Sequence, residues 1–366
     1  MGQKHFSFLD SYTFKNGIKV KNRLSLSPMT HSQSHEDGSL GKEEYQWLLS
    51  RAVGGFGIIT TCASYITRTA RAWPGQLAIY SDEQISALQK LTHAIREQGS
   101  ISLMQIFHGG VRSPSAMTGQ QPVSASEYEL SFPGFEKPRA LTKVEIYQIV
   151  NEFADAAERA YKAGFDGVEI HGANGYLITQ FIATTTNLRN DEYGGTLENR
   201  ARFVREIVQA CKERVPTDFL VGIRLTVEGV GLDIDENLQI AEWLVADGID
   251  YLNLSLGNVL APPQKYKEEK QKSVTAYFRE RLGNDFPITA GGNVQTAQQA
   301  ELAMEQGATF VALGRMAIGN VNWPKLAMTD NYQPVLPPYS VEYLKEVGIS
   351  EHFIGYMKTL PKGFAI

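Results

Sequence analysis

The chain repeats one local pattern eight times, a short run rich in Val, Ile, Leu and Phe followed by a longer stretch with helical apolar spacing. The runs are Arg23–Ser27, Phe56–Thr61, Ile101–Ile106, Gly167–Ile170, Phe219–Leu225, Tyr251–Ser255, Pro287–Ala290 and Phe310–Leu313. Strands separated by helices join through crossovers, which makes the sheet parallel. Eight such strands suggest closure into a barrel.

Helix signals punctuate the runs. Ser81 with Gln84 and Thr142 with Glu145 read as capping boxes. Ile85, Leu88, Leu91 and Ile95 follow the first, and Ile146, Ile149, Val150, Phe153 and Ala157 the second, each set making one apolar stripe. Gly99, Gly164, Gly248 and Gly307 close helix patterns, where a left-handed C-cap favours glycine. No Pro/Ser-rich linker interrupts the rhythm between residues 40 and 315. The expectation is an α/β protein with one domain over residues 1–366: a (β/α)8 TIM barrel spanning about 22–328 and a tail over 331–366. An N-terminal β-hairpin precedes it, signalled by Asn16-Gly17 as a two-residue turn, and plugs one end. Two segments break the pattern. Val111–Ala140, with four prolines, is too long for an ordinary connection and reads as a lid that Phe132 and Phe135 close over an apolar ligand. The tail is proline-rich and then weakly helical around Val341–Val347.

Charge and cysteine usage exclude several classes. A net charge of -5 over 366 residues, with no run of Lys and Arg, argues against a nucleic-acid partner. Cys62 and Cys211 are the only cysteines, so no disulfide framework and no all-cysteine zinc or iron–sulfur site can be assembled. The N-terminus opens no apolar signal segment, and no window approaches the roughly 20 apolar residues of a membrane span. A soluble cytoplasmic protein without a membrane partner is expected.

The chemistry gathers after the strands, at the end where parallel α/β folds place their sites. The first run leads into Ser27-Pro28-Met29-Thr30, the third contains Gln105 and leads to Phe107-His108, and the fourth ends at His171-Gly172-Ala173-Asn174-Gly175-Tyr176. The fifth contains Arg224, the seventh leads into Gly291-Gly292-Asn293, and the eighth into Gly314-Arg315. Glycine pairs and an arginine after strands seven and eight suit a phosphate-bearing ligand. Gln105, Thr30 and Arg224 would match a flavin's pyrimidine edge, whose acceptor and donor atoms alternate and which becomes anionic on reduction. An ion pair inside the barrel explains Arg224 alone equally well. Asp191, Glu192, Glu198 and Arg200 read as structure rather than catalysis, since Thr196 is an N-cap and Glu198 falls in the first helical turn. His31, His35 and His108 have no second ligand at metal spacing, so no metal site is expected.

Ser27-Pro28-Met29-Thr30, Gln105, His171–Leu177, Asn187–Arg202 and Gly314-Arg315 resemble the old yellow enzyme family of FMN-dependent ene-reductases, over about Asn22–Pro324. The resemblance implies that Ser27, Pro28, Met29 and Thr30 contact FMN, that Gln105 bonds its pyrimidine edge, and that Arg224 sits near N1 and O2. It implies a phosphate held by Gly292, Asn293, Gly314 and Arg315, with Cys62 against the flavin. His171 and Asn174 would bind the activating oxygen of an alkene, Tyr176 would protonate its α-carbon, and Phe107 would face the substrate. NADH or NADPH would be the reductant at the same site. The nearest dinucleotide motif, Gly229-Val230-Gly231-Leu232-Asp233-Ile234, lacks its third glycine. The substrate implied is a small activated alkene (enone, enal, maleimide or nitroalkene). Rival readings are a barrel flavoprotein with a nitro, quinone or demethylation substrate, and a flavin-binding sensor with little turnover. Length and cysteine count disfavour larger relatives with added iron–sulfur and dinucleotide domains. A homo-oligomer is compatible with the sequence. No arginine follows Arg315, so a neighbour's site completed by a C-terminal arginine is not expected.

Overall fold

The computed structural model describes residues 5–129, 134, 136–269, 272–327, 329 and 332–360. Eight parallel strands close into a barrel: β1 (Leu24–Leu26), β2 (Ile58–Thr60), β3 (Ile101–Phe107), β4 (Gly167–Gly172), β5 (Leu220–Leu225), β6 (Tyr251–Ser255), β7 (Ile288–Gly291) and β8 (Phe310–Leu313). Each pairs with its chain neighbours, and β8 returns to β1 through Val311↔Leu24, Ala312↔Ser25 and Leu313↔Leu26. Each expected run coincides with a barrel strand. Closure leaves no unpaired edge, so the apolar outer faces can all be covered by helices.

Those helices are α1 (Lys42–Val53), α2 (Ile85–Glu97), α3 (Lys143–Lys162), α4 (Leu197–Arg214), α5 (Ile234–Ala246), α6 (Val274–Leu282) and α7 (Ala297–Glu305). Both expected capping boxes form, and Thr296 with Gln299 makes a third. On α3 the buried stripe includes Ile146, Ile149, Val150, Phe153 and Ala157, the apolar spacing of the sequence.

At the amino end, Tyr12–Thr13 pairs antiparallel with Lys19–Val20. The turn differs from expectation. Phe14 N–H donates to Ile18 O at 2.9 Å, leaving Lys15-Asn16-Gly17 as a three-residue loop with Gly17 at φ +91°. The hairpin does plug the barrel: Phe14 stacks on Phe310 with centroids 5.4 Å apart, and Tyr12 meets Phe310 edge-on at 5.1 Å.

Two peripheral segments bear on the other end. The 111–140 segment carries a short helix, Ser115–Thr118, and a pair of two-residue strands, Val123–Ser124 and Arg139–Ala140. Phe132 and Phe135, the expected lid residues, lie outside the described residues. The tail is more ordered than its composition suggests. After Val341–Glu346 comes α8 (Glu351–Thr359), which buries Phe353, Ile354 and Met357, with Phe353 edge-on to Trp47 of α1 at 5.0 Å. No helix among the described residues is long and apolar enough to cross a membrane.

Candidate active site

Strand alternation decides which groups meet inside the barrel. On β4, Val168 and Ile170 face the helices, so Glu169 and His171 turn inward. Glu169 is 1% exposed and accepts from Gln105 Nε2 on β3 at 2.7 Å and from Asn253 Nδ2 on β6 at 2.8 Å. Since β6 is not a neighbour of β4, the carboxylate spans the lumen. Arg224 of β5, in register with His171, lies close enough to bias its titration. Burial raises the Glu169 pKa, while Arg224 and the two amides lower it.

His171 sits one layer above Glu169. Burial first, and the Arg224 charge second, push its pKa well below the ordinary imidazole value. Its Nδ1 accepts a long bond from the Ala173 N–H at 3.4 Å, which leaves the proton of the neutral ring on Nε2. Asn174 occupies the left-handed region at φ +59°, which asparagine tolerates better than most residues. Its backbone N–H donates to Thr226 Oγ1 at 2.8 Å, and its Oδ1 accepts from Ser255 Oγ at 3.2 Å. With the amide oxygen engaged, the Nδ2 hydrogens are what Asn174 can offer a ligand.

Tyr176 caps the short helix Leu177–Ile182, and its ring lies edge-on to His171 at 5.0 Å and to Phe107 at 4.5 Å. Burial raises its pKa against the opposing Arg112 charge, so the phenol is protonated at neutral pH. Phe107 is fully buried and also packs on Trp73, which fixes the Tyr176 and His171 rings from behind.

Beside this group a cavity of about 470 Å³ opens at the carboxyl ends of the strands. Ser27, Pro28, Met29, Arg224, Gly292, Asn293, Gly314 and Arg315 all line it. Arg315 Nη2 donates to Asn293 Oδ1 at 3.3 Å. A Cβ on Gly292 would lie 2.6 Å from Leu256 O, so glycine is demanded there by backbone packing as well as by any ligand. Arg224 Nε is buried with no hydrogen-bond partner, a cost that a bound acceptor would remove.

Cys62 departs from expectation. The β2 ladder ends at Thr60, and the Thr61 and Ser64 hydroxyls both donate to the Cys62 carbonyl, turning the chain so that alternation no longer governs the side chain. The thiol donates to Glu44 Oε1 of α1 at 3.2 Å, and Cys62 is not among the residues lining the cavity. The acidic stretch after Asn187 is structural, as expected. Asn187 Nδ2 ties the Phe181 and Tyr193 carbonyls, Arg189 grips Asp191 with two nitrogens, and Arg200 pairs with Glu236 of α5.

Sequence reasoning missed two residues. Glu169 had one signal, a charge in the middle of an apolar strand. Tyr356 had none: α8 carries its phenol close enough to the Thr30 hydroxyl for that group to offset part of the rise that burial gives its pKa, and near enough to Tyr176 to affect that group's ionisation.

A family model described as NADH:flavin oxidoreductase / NADH oxidase family matches residues 10–333. The chain belongs to this family, that of the old yellow enzymes. It is 38% identical to the probable NADH-dependent flavin oxidoreductase YqiG of Bacillus subtilis, over 88% of each chain. It is 36% identical to the NADH:fumarate oxidoreductase of Klebsiella pneumoniae over 86% of its own length, but spans only 35% of that protein. The structure of the old yellow enzyme homologue from Zymomonas mobilis superposes with a TM-score of 0.80 at 28% identity, covering 92% of this chain and 96% of that one. The protein is therefore an NADH- or NADPH-dependent flavin oxidoreductase with FMN as its cofactor. The cavity suits that group: cations at two points, glycine-rich walls and one buried guanidinium nitrogen in want of an acceptor.

Removing the Glu169 carboxylate would strand Arg224 and two amides. Glu169→Ala is expected to lower unfolding free energy by about 1–3 kcal/mol for the buried amide donors it leaves unmet, and Glu169→Gln by less because one acceptor survives. Urea unfolding of both variants at wild-type midpoints would show that the network contributes nothing.

Proposed function

We propose that the protein reduces the carbon–carbon double bond of small activated alkenes with electrons from NADH or NADPH. The observation that carries this reading is the trio at the carboxyl end of β4: a neutral imidazole with its proton on Nε2, an asparagine with its oxygen already engaged, and a protonated phenol against the imidazole ring. Two donors and one acid suit a substrate whose oxygen gains negative charge while a carbon gains a proton.

FMN, when bound, supplies hydride exchange between the nicotinamide and the alkene β-carbon. Ser27, Pro28, Met29, Thr30 and Gln105 would hold its ring, and Gly292, Asn293, Gly314 and Arg315 its phosphate. Arg224 would place a fixed positive charge at the pyrimidine edge. Because Gln105 Nε2 is committed to Glu169, its Oε1 is the atom left to accept from a ring N–H. His171 Nε2–H and Asn174 Nδ2–H donate to the substrate oxygen and stabilise enolate charge as it develops. Tyr176 Oη–H delivers the proton to the α-carbon. Phe107 limits the space beneath the substrate, and Tyr356 closes the site from α8. Support for unsaturated acceptors also comes from the Klebsiella relative, which by its name acts on fumarate.

Tyr176→Phe is expected to retain FMN and its reduction by NAD(P)H while slowing enone reduction about 10²–10⁴-fold, the usual worth of a positioned acid. Unchanged enone turnover in stopped-flow would remove Tyr176 from the mechanism. The pH profile gives a second test. The His171 pKa is lowered below 6.5 and the Tyr176 pKa raised above 10, so neither changes protonation between about pH 6.5 and 9.5. An inflection near pH 6.5 that disappears in His171→Asn would contradict a neutral donor. Tyr356→Phe removes the phenol beside Thr30, and if that hydroxyl helps close the site a loss of about 1 kcal/mol corresponds to a roughly fivefold rise in enone KM. An unaltered KM would confine Tyr356 to packing.

A further inference from the structure

Behind the cavity wall, on the α1 side, three potential ligands of different chemistry converge. His31 comes from the loop after β1, Glu44 from α1 and Cys62 from just past β2, and one ligand atom of each lies within 4.8 Å of the others. Cys62 Sγ is 3.2 Å and His31 Nε2 3.4 Å from Glu44 Oε1. All three side chains are buried, His31 to 1% exposure and Glu44 to 0%. Ser34 Oγ donates to the other carboxylate oxygen. Trp47 and Phe353 cover the group, with ring centroids 6.3 and 5.7 Å from the imidazole.

Hydrogen bonding within the cluster accounts for Cys62, Glu44 and Ser34 but not for His31. Neither His31 ring nitrogen has a hydrogen-bond partner, although Nε2 is directed at the carboxylate. A fully buried imidazole without a partner bears an uncompensated desolvation cost at each polar atom left unmet. Burial also keeps it neutral, with a pKa below the ordinary value, which is the form that ligates metals.

We propose that His31, Glu44 and Cys62 form a closed site for a divalent transition-metal ion of the zinc type, separate from the FMN cavity. Thiolate, imidazole and carboxylate are the ligands such an ion takes, at about 2.0–2.3 Å each, which puts tetrahedral neighbours about 3.3–3.7 Å apart. The Cys62–Glu44 and His31–Glu44 separations fall near that range, and the His31–Cys62 separation stays within 4.8 Å. The fourth position falls to the Ser34 hydroxyl or a water. Charge closes as well: a doubly positive ion, one thiolate, one carboxylate and a neutral imidazole sum to zero, the condition burial imposes. The thiol proton leaves to solvent on binding. Arg51, the nearest cation, is engaged elsewhere, donating to Ala317 O, Ile318 O and Ser50 Oγ and lying over the Trp47 ring at 3.5 Å. The ion would tie α1 to the strand ends and to the α8 side chains that cover it. Sequence spacing hides such a site because the ligands lie on three separate elements.

The test is elemental analysis of the FMN-loaded full chain purified without chelator from zinc-supplemented medium, together with refolding in Co²⁺. About one zinc per chain is expected, and the cobalt form should show d–d bands to the red of the flavin absorption. Cys62→Ala should lose the metal at least about tenfold while keeping FMN, and Cys211→Ala, which removes a remote buried thiol, should keep both. Less than about a tenth of an equivalent of zinc with no cobalt bands, or full metal occupancy in Cys62→Ala, overturns the proposal. Should Cys62→Ala fail to fold, wild-type metal content and cobalt spectra decide by themselves.

Discussion

The site depends on one carboxylate. Glu169 lies in the lumen, where a lone charge would cost several kcal/mol, and is tolerated because Gln105, Asn253 and Arg224 converge on it from three other strands. Its satisfaction sets the rest. It orients the Gln105 amide, it balances a guanidinium that lines the cavity, and His171 follows it two residues later on the same strand. Burial first, and the same guanidinium second, keep the imidazole neutral, so the Arg224 charge bears on both the electrostatics of the cofactor cavity and the protonation state of the nearby donor.

Rigid support for the reacting groups comes from polar contacts that do no chemistry. The charged stretch after Asn187 spends its arginines on Asp191, Glu236 and backbone carbonyls, which pins the segment following Leu177–Ile182 to α4 and α5. At the opposite wall, α8 buries Phe353 and Met357 against α1 and thereby positions Tyr356 beside Thr30. Both segments act on Tyr176, one by fixing the helix it caps and the other by adding a second phenol nearby.

Much was legible in residue order because it rests on local rules. Apolar runs of strand length alternating with capped helices determined a closed parallel barrel, and closure determined which end would carry His171, Arg224 and Arg315. Ser27, Arg224, Gly292 and Arg315 of the cavity lining lie at strand ends that the sequence singles out, whereas Leu256, Gly257 and Pro337 come into it only through the fold. The Asn16-Gly17 turn was read one residue short because hairpin loops of two and three residues share the same dipeptide signal. Cys62, which the resemblance puts against the flavin, turns toward Glu44 instead, because the ladder stops at Thr60 and alternation no longer governs its side chain.

Tertiary structure alone decided three things. It brought Tyr356 to the site, from a helix whose sequence carries no motif and whose position follows from packing on Trp47. It joined Glu169 to Asn253 across the lumen, an encounter between strands that are not neighbours in the sheet. It gathered His31, Glu44 and Cys62, whose separation along the chain conceals any common function. In each case the partners are distant in sequence, and their meeting depends on barrel closure and side-chain packing, which no local pattern encodes.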